Sequence, residues 1–493
     1  MHYYVGGDLG TSSVKLMLVA ETGEIVKTVS RSYPVCYPKN GWSEQSPSLW
    51  WDAFLEAMTE LVADGTAPLV RAIGVGGQMH GLVALDGEDN VLRPAILWND
   101  GRTAEEVVEL NEGFGKEKLS ALTANIAFAG FTAPKILWMK KNEPDLFAKV
   151  KKIMLPKDYI NYRLTGAFVT DLSDASGMLL LDVRNRAWSK EMIALCGIDE
   201  SMLPTLHESA DTIGTVLPVW AERLGLTKDV KVVAGAGDNA AAAIGTGAVG
   251  EGKCNISLGT SGTIFISSER FSVDKANSLH AFCHADGGYH LMGCMLSAAS
   301  CNKWFVENIL TSKEYDALFA GISEEKPGEN NVYFLPYLMG ERSPINDTDA
   351  RGVFIGMTPE TSREDMLLAV IEGVSFAIRD SLEVAKAQGI SFTSATLCGG
   401  GAKLPVWRKV LANVLDLPLV LPVSEEGPGY GGAILAMTAD GVFADVKAGA
   451  AALFAERGRE LPDPLLAKKY ASKYEKYKKI YPALKNVFKE LKD

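Results

Sequence analysis

Leu9-Gly10-Thr11-Ser12 recurs as Leu258-Gly259-Thr260-Ser261, and each copy sits between two runs rich in β-branched and apolar residues. One small-residue turn between two strands is ordinary; two in the same setting, half a chain apart, imply two halves built on one local design. At 493 residues the chain is longer than one ordinary core, and its length allows about three domains, with two large ones equally comfortable. The expectation is α/β, with one domain over residues 1–249 and a second over 250–493.

The opening YVGGDLGTSSVKLMLVAETGEIVKTVSRSYPV reads as three antiparallel strands joined by two turns. SPSLWWDAFLEAMTELVADG follows with helical spacing, Ser46 at the cap and Pro47 at the first helical position. A strand from Val70 runs into the loop GGQMHG, and KVVAGAGDN reads as another strand that ends in a glycine turn and opens the small-residue helix NAAAAIG. Residues 100–229 are mixed and mostly helical, without a readable topology. Later segments repeat strand, glycine turn and helix, as in SATLCGGGAKLPVWRKVLANVLD, and the tail KKYASKYEKYKKIYPALKNVFKEL reads as one amphipathic helix with a basic solvated face.

Composition excludes several classes. A net charge of −12 argues against nucleic-acid binding, which needs clustered Lys and Arg. No apolar run reaches the roughly 18 residues of a membrane span, and the N-terminus lacks a signal-peptide pattern, so a cytoplasmic protein is expected. The seven cysteines contain no Cys-x-x-Cys pair and the six histidines are scattered, which suggests neither a disulfide framework nor a zinc cluster.

Asp238 is an isolated carboxylate among Gly, Ala and apolar residues. Such an acid is costly to bury without partners or function, although Asp is also a common helix cap. Asp8 precedes the first Gly-Thr-Ser loop; it is either a turn cap or a group that meets phosphate through Mg²⁺. The two loops can donate main-chain N–H groups and the hydroxyls of Thr11, Ser12 and Thr260 to a polyphosphate, with Lys15 as a further cation. Gly400, Gly401 and Ala402 lie between a strand and a helix, where either ligand approach or close packing calls for small residues. His80, flanked by glycines, is a turn histidine or a ligand contact. GAVGEGKC matches the outline of a P-loop, but a helical run precedes it and a strand follows; it reads as an interdomain turn.

In order along the chain, GGDLGTSSVK, GQMHGLV, LWNDGRT, FTAPKILW, LPKDYINYRLTG, GDNAAAAIG, LGTSGT, MLSAASCNKW, FLPYLMGERSP, ARGVFIGMT and GGGAKLPVWR resemble the FGGY carbohydrate kinases. GQMHG, LWNDGRT and YLMGERSPINDTDARGVF are most similar to the members that act on xylulose, rather than on glycerol, ribulose or gluconate. The resemblance implies two ribonuclease H-like domains of the actin, hexokinase and Hsp70 type, with the active site in the cleft between them. It implies ATP-dependent phosphorylation of D-xylulose at C5, with Asp238 as general base and Asp8 serving Mg²⁺ and phosphate. Met79, His80 and Asn239 would touch the sugar; Thr11, Ser12, Lys15 and Thr260 the phosphates; and Gly400, Gly401 and Ala402 the nucleotide. A homodimer is the family expectation. Another ketose or polyol as substrate, and a non-catalytic nucleotide-dependent sugar sensor, are the alternatives. Two departures, Lys303 in place of glutamine and GPGYGGA in place of GPALGAA, bear on adenosine contact rather than on the reaction.

Overall fold

The computed structural model describes residues 1–424 and 426–491. The expected meander forms as β1 (Tyr3–Leu9), β2 (Ser13–Ala20) and β3 (Ile25–Ser32). β4 (Val70–Gly77) runs parallel to β1, and β5 (Thr212–Thr215), β6 (Lys231–Val233) and β7 (Ala236–Gly237) complete a sheet ordered β5-β6-β4-β1-β2-β3, with β7 also beside β4. The second sheet holds β8 (Lys253–Leu258), β9 (Gly262–Ser268), β10 (His280–Cys283), β11 (Tyr289–Met295), β12 (Ser394–Cys398), β13 (Leu419–Pro422) and β14 (Glu456–Glu460), ordered β10-β11-β9-β8-β12-β13-β14.

β10 apart, β3-β2-β1-β4-β6-β5 and β11-β9-β8-β12-β13-β14 are one pattern: two antiparallel pairings, two parallel, one antiparallel. The twin turns are the outward sign of this duplicated ribonuclease H-like arrangement. The turn GAVGEGK lies, as expected, between a helix and β8.

Alternation along the first sheet sorts side chains between two faces. Val5, Leu16, Leu18, Ile73 and Val75 share one core with Trp50, Phe54 and Met58 of α1 (Pro47–Leu61). Ser46 does occupy the cap position of α1, but its hydroxyl meets Ser48 Oγ at 2.8 Å and caps no backbone amide. On the other face, Tyr4, Met17, Val19 and Ala72 belong to the larger core. Apart from β5, residues 100–229 form helices, among them α2 (Pro156–Thr165), and short two-stranded ribbons. α3 (Asp238–Gly245) then follows β7.

In the second half, α4 (Arg363–Ala387) and α5 (Pro405–Leu415) pack together, and α6 (Gly427–Ala439) crosses back onto β1, β4 and α3. The crossing is close because glycines of α6 face the sheet and α3: a Cβ on Gly431 would sit 1.9 Å from Ala241 O, and one on Gly432 would sit 2.5 Å from Gly74 O. The glycines of GPGYGGA therefore serve close packing against the first sheet and α3.

The tail departs from expectation. It forms two helices, α7 (Pro464–Tyr477) and α8 (Ile480–Glu490), and its basic face is not wholly solvated. Lys473 is buried, 2.9 Å from Glu372 Oε2, while Tyr470 donates to Glu372 Oε1 at 2.9 Å. Among the described residues no helix is long and apolar enough to cross a membrane.

Candidate active site

Strand ends position the loops. β1 runs into Gly10-Thr11-Ser12 and β8 into Gly259-Thr260-Ser261. Both loops are tied from behind through their carbonyls: Tyr33 Oη donates to Gly10 O at 2.6 Å and Gln45 Nε2 to Thr11 O at 2.7 Å. Ala299 N donates to Gly259 O at 2.9 Å and Ala298 N to Thr260 O at 3.0 Å. Ser12, Thr260 and Ser261 remain exposed.

A cavity of about 370 Å³ opens beside the second loop. Of the residues singled out in the sequence, it gathers Met79, His80, Asp238, Asn239 and Thr260. Asp8, Thr11, Ser12, Lys15, Gly400, Gly401 and Ala402 lie outside its walls. Asp8 nonetheless adjoins. It pairs with Gly76 of β4, while Gly237, just before Asp238, pairs with Gly77 on the other edge of that strand. Two strand spacings, roughly 10 Å of backbone, separate the two acids. The first loop also reaches the cavity wall, since Trp98 Nε1 donates to Thr11 Oγ1 at 2.9 Å.

Asp238 opens α3, and its Oδ1 accepts from Asn239 N at 2.7 Å and Asn239 Nδ2 at 2.8 Å. Oδ2 is therefore the oxygen left for a ligand. Burial first, and then the charge of Asp8, pushes the Asp238 pKa up to about 7. Asp8 is itself pushed up to about 6 by burial, with Lys15 working in the opposite direction.

His80 is held in the left-handed region at φ +70°. Its carbonyl accepts from Lys135 Nζ at 2.8 Å and Thr132 Oγ1 at 3.2 Å, which pins the turn. His80 Nδ1 lies 2.8 Å from Gly177 O. A carbonyl can only accept, so Nδ1 carries the proton and Nε2 is an acceptor in the neutral ring. Burial, reinforced by Lys135, holds the ring well below the ordinary histidine range and hence neutral. Met79 packs over the turn, its Cγ 3.0 Å from where a Cβ on Gly237 would lie.

Lys15 Nζ meets Glu426 Oε2 at 2.8 Å, so in this arrangement it spans to the residue before α6. Gly399, at φ +91°, lies against the Leu258 backbone and sets the glycine turn beside the second loop. Gly400 is exposed, with open space about its α-carbon, whereas a Cβ on Gly401 would come within 2.7 Å of the Trp407 ring. Ala402 is fully buried. Close packing thus accounts for Gly401 and Ala402, and Gly400 alone of the three faces solvent. Lys303, the other departure, is exposed on the helix Ala299–Trp304.

Sequence reasoning did not single out Trp98, Phe131, His280 or Arg342, which also line the cavity. Trp98, Phe131 and Arg342 lie inside LWNDGRT, FTAPKILW and MGERSP, so the motifs carried a signal; His280 had none. Burial drives the His280 pKa down to about 3, which keeps a second neutral imidazole at the wall. The Arg342 guanidinium lies over the Phe128 ring, 5.7 Å from its centroid.

Asp8 and Asp238 are partly buried carboxylates on either side of β4, and among the described residues no group of three or more His, Cys, Asp or Glu could hold a cation alone. That fits Mg²⁺, which is commonly held by one or two carboxylates together with substrate phosphates.

The model of the FGGY family of carbohydrate kinases, N-terminal domain, matches residues 3–245, and that of the C-terminal domain matches residues 254–439. The chain is 42% identical over 438 residues to the xylulose kinase of Escherichia coli (strain K12), covering 88% of this chain and 90% of that one. It is 37% identical over 495 residues to the xylulose kinase of Bacillus subtilis (strain 168), covering 100% and 99%. The crystal structure of ligand-bound xylulose kinase from Lactobacillus acidophilus superimposes with a TM-score of 0.94 at 27% identity, over 100% of both chains.

Proposed function

The chain belongs to the FGGY family of carbohydrate kinases, and from that membership we propose that it transfers the γ-phosphoryl group of ATP to the C5 hydroxyl of D-xylulose, giving D-xylulose 5-phosphate and ADP. The observation that carries this reading is Asp238 Oδ2, presented to a cavity of about 370 Å³ that also holds His80, Asn239 and Thr260. The nearly full-length likeness to xylulose kinases supports the choice of sugar.

In this mechanism the C5 hydroxyl donates to Asp238 Oδ2, and the proton passes to that oxygen as the sugar oxygen attacks phosphorus in line. Asn239 holds the other carboxylate oxygen and so fixes the base. His80 Nε2 accepts a sugar hydroxyl, Met79 packs beside it, and Trp98 links the sugar wall to the first loop. Thr11, Ser12, Thr260 and Lys15 donate to phosphate oxygens; Gly400, Gly401 and Ala402 form the nucleotide side, Gly400 by direct approach and the buried pair by shaping the turn. Mg²⁺, held by Asp8 directly or through water, would withdraw charge from the phosphates when bound. Since water is a smaller competing nucleophile, a cavity walled by both halves of the chain limits futile hydrolysis.

The boundary at 249/250 is supported by the two family matches, which flank it. A cytoplasmic location is supported by seven free cysteines and a substrate, ATP, made inside cells. Family resemblance favours a homodimer, which sedimentation velocity decides.

The test is ADP release with D-xylulose, D-ribulose, glycerol, gluconate and alditols. D-xylulose should show the highest kcat/KM. A higher value for another sugar overturns the substrate, and ATP binding without ADP release on any sugar overturns the kinase reading.

A further inference from the structure

Residues 171–178, DLSDASGM, touch three walls of the cavity at once. Gly177 O holds His80 Nδ1 at 2.8 Å. Ser176 Oγ accepts from Cys283 N at 3.0 Å, on β10, the strand that carries His280. Ser173 Oγ accepts from Gly237 N at 3.2 Å, and the next residue is Asp238.

The direction of this last bond is set from below. Ser173 Oγ gives its own proton to Asp171 Oδ2 at 2.5 Å, so its lone pairs face the Gly237 amide. Asp171 Oδ2 also accepts from Ser173 N at 2.8 Å and Ser209 Oγ at 2.9 Å. Its other oxygen lies 2.9 Å from Lys157 Nζ, which stands 2.5 Å from Asp158 Oδ1 and 3.5 Å from Asp174 Oδ2. Lys157 and the three acids are all buried. One cation cannot balance three carboxylates, and neither oxygen of Asp174 receives a hydrogen bond; burial pushes the Asp174 pKa well above the ordinary carboxylate range.

Apolar residues of the same volume commonly stabilise a fold as well as such a cluster does. What they lack is a hydrogen bond aimed at the end of β7. Among the described residues that strand pairs only with β4, and the Gly237 amide goes to Ser173. Asn161 of α2 braces the same run upstream, donating to Ala234 O at 3.0 Å.

We propose that Ser173 is a positioning residue for phosphoryl transfer: it fixes the Gly237 amide, and thereby the direction in which Asp238 enters the cavity, while Lys157 and its carboxylates fix Ser173. This rests on Asp238 being the base. Because Ser173 acts only through that turn, its loss affects turnover and spares binding.

The experiment compares Ser173→Ala and Ser173→Cys, which differ in size but both lack a good acceptor, with Ser173→Thr and Asp238→Ala. Ser173→Ala and Ser173→Cys should lower kcat roughly 10- to 100-fold, as expected for a misplaced catalytic group, with both KM values within about twofold of the original. Ser173→Thr, which keeps the hydroxyl, should retain more kcat than either. A folded Ala or Cys variant with kcat within about twofold of the original, or with its loss expressed in KM, overturns the proposal. If that occurs while Asp238→Ala is inactive, only the role of Ser173 falls; an active Asp238→Ala overturns the base itself and this inference with it.

Discussion

Lys15 Nζ stands 2.8 Å from Glu426 Oε2, joining the strand after the first Gly-Thr-Ser loop to the start of α6. With side chains 37% and 40% exposed, this pair contributes only about 0–1 kcal/mol, so phosphate can compete for the lysine. Lys15→Met should raise the KM for ATP roughly 10-fold or more, the worth of a charged hydrogen bond, and leave the KM for xylulose unchanged. Glu426→Gln should lower the KM for ATP slightly. Steady-state kinetics check both, and an unchanged KM for ATP in Lys15→Met would make the lysine a domain contact only.

A base must be unprotonated. With Asp238 near pKa 7 and Asp8 near 6, kcat/KM for xylulose should fall as pH drops through 7 and fall more steeply below 6. The stability effect has the opposite sign. Raised carboxylate pKa values mean that the native state binds these protons more tightly than the unfolded chain, so stability is present below about 4 and lost as pH rises through 7. Asp238→Asn should therefore melt above the original protein at pH 8 and close to it at low pH, as read by scanning calorimetry.

Gly431→Ala places a Cβ 1.9 Å from the Ala241 carbonyl. A backbone oxygen inside a helix cannot swing aside, so α6 and α3 must separate. The expected cost is about 1–3 kcal/mol, seen as a lower Tm, with reduced kcat because α3 carries Asp238 at its start.

Lys473→Met strands Glu372 in the core beside Tyr470. Breaking one side of a buried pair costs about 3–5 kcal/mol, and urea denaturation should show a loss of that order, while kcat of the folded fraction stays unchanged. Adding Glu372→Met should recover much of the loss.

Legibility in the sequence followed the range of the information. The meander, the twin turns, the strand ending at Gly237 and the helix opening at Asp238 rest on period-two alternation and small-residue turns a few residues long, and these were readable. The cavity was not, because it joins Trp98, Phe131, His280 and Arg342 from distant segments. The segment 171–178 was hidden for the same reason: its serines and glycine look like any loop until Gly177 meets His80 and Ser173 meets Gly237. Helical periodicity ran through Lys478 and Lys479, so the break between α7 and α8 escaped notice, as did the burial of Lys473. Gly401 and Ala402 show that a small residue signals close approach without saying whether the neighbour is a ligand or Trp407.

Asp238 as the acceptor of the sugar proton is tested most directly by the turnover of Asp238→Asn with saturating D-xylulose, ATP and Mg²⁺. Asparagine keeps the side-chain volume and can still accept from the Asn239 amide, but it cannot take up the proton. The expected result is a fall in kcat of at least the ~10²–10⁴-fold typical of general acid–base catalysis. A kcat near that of the original protein would contradict the mechanism.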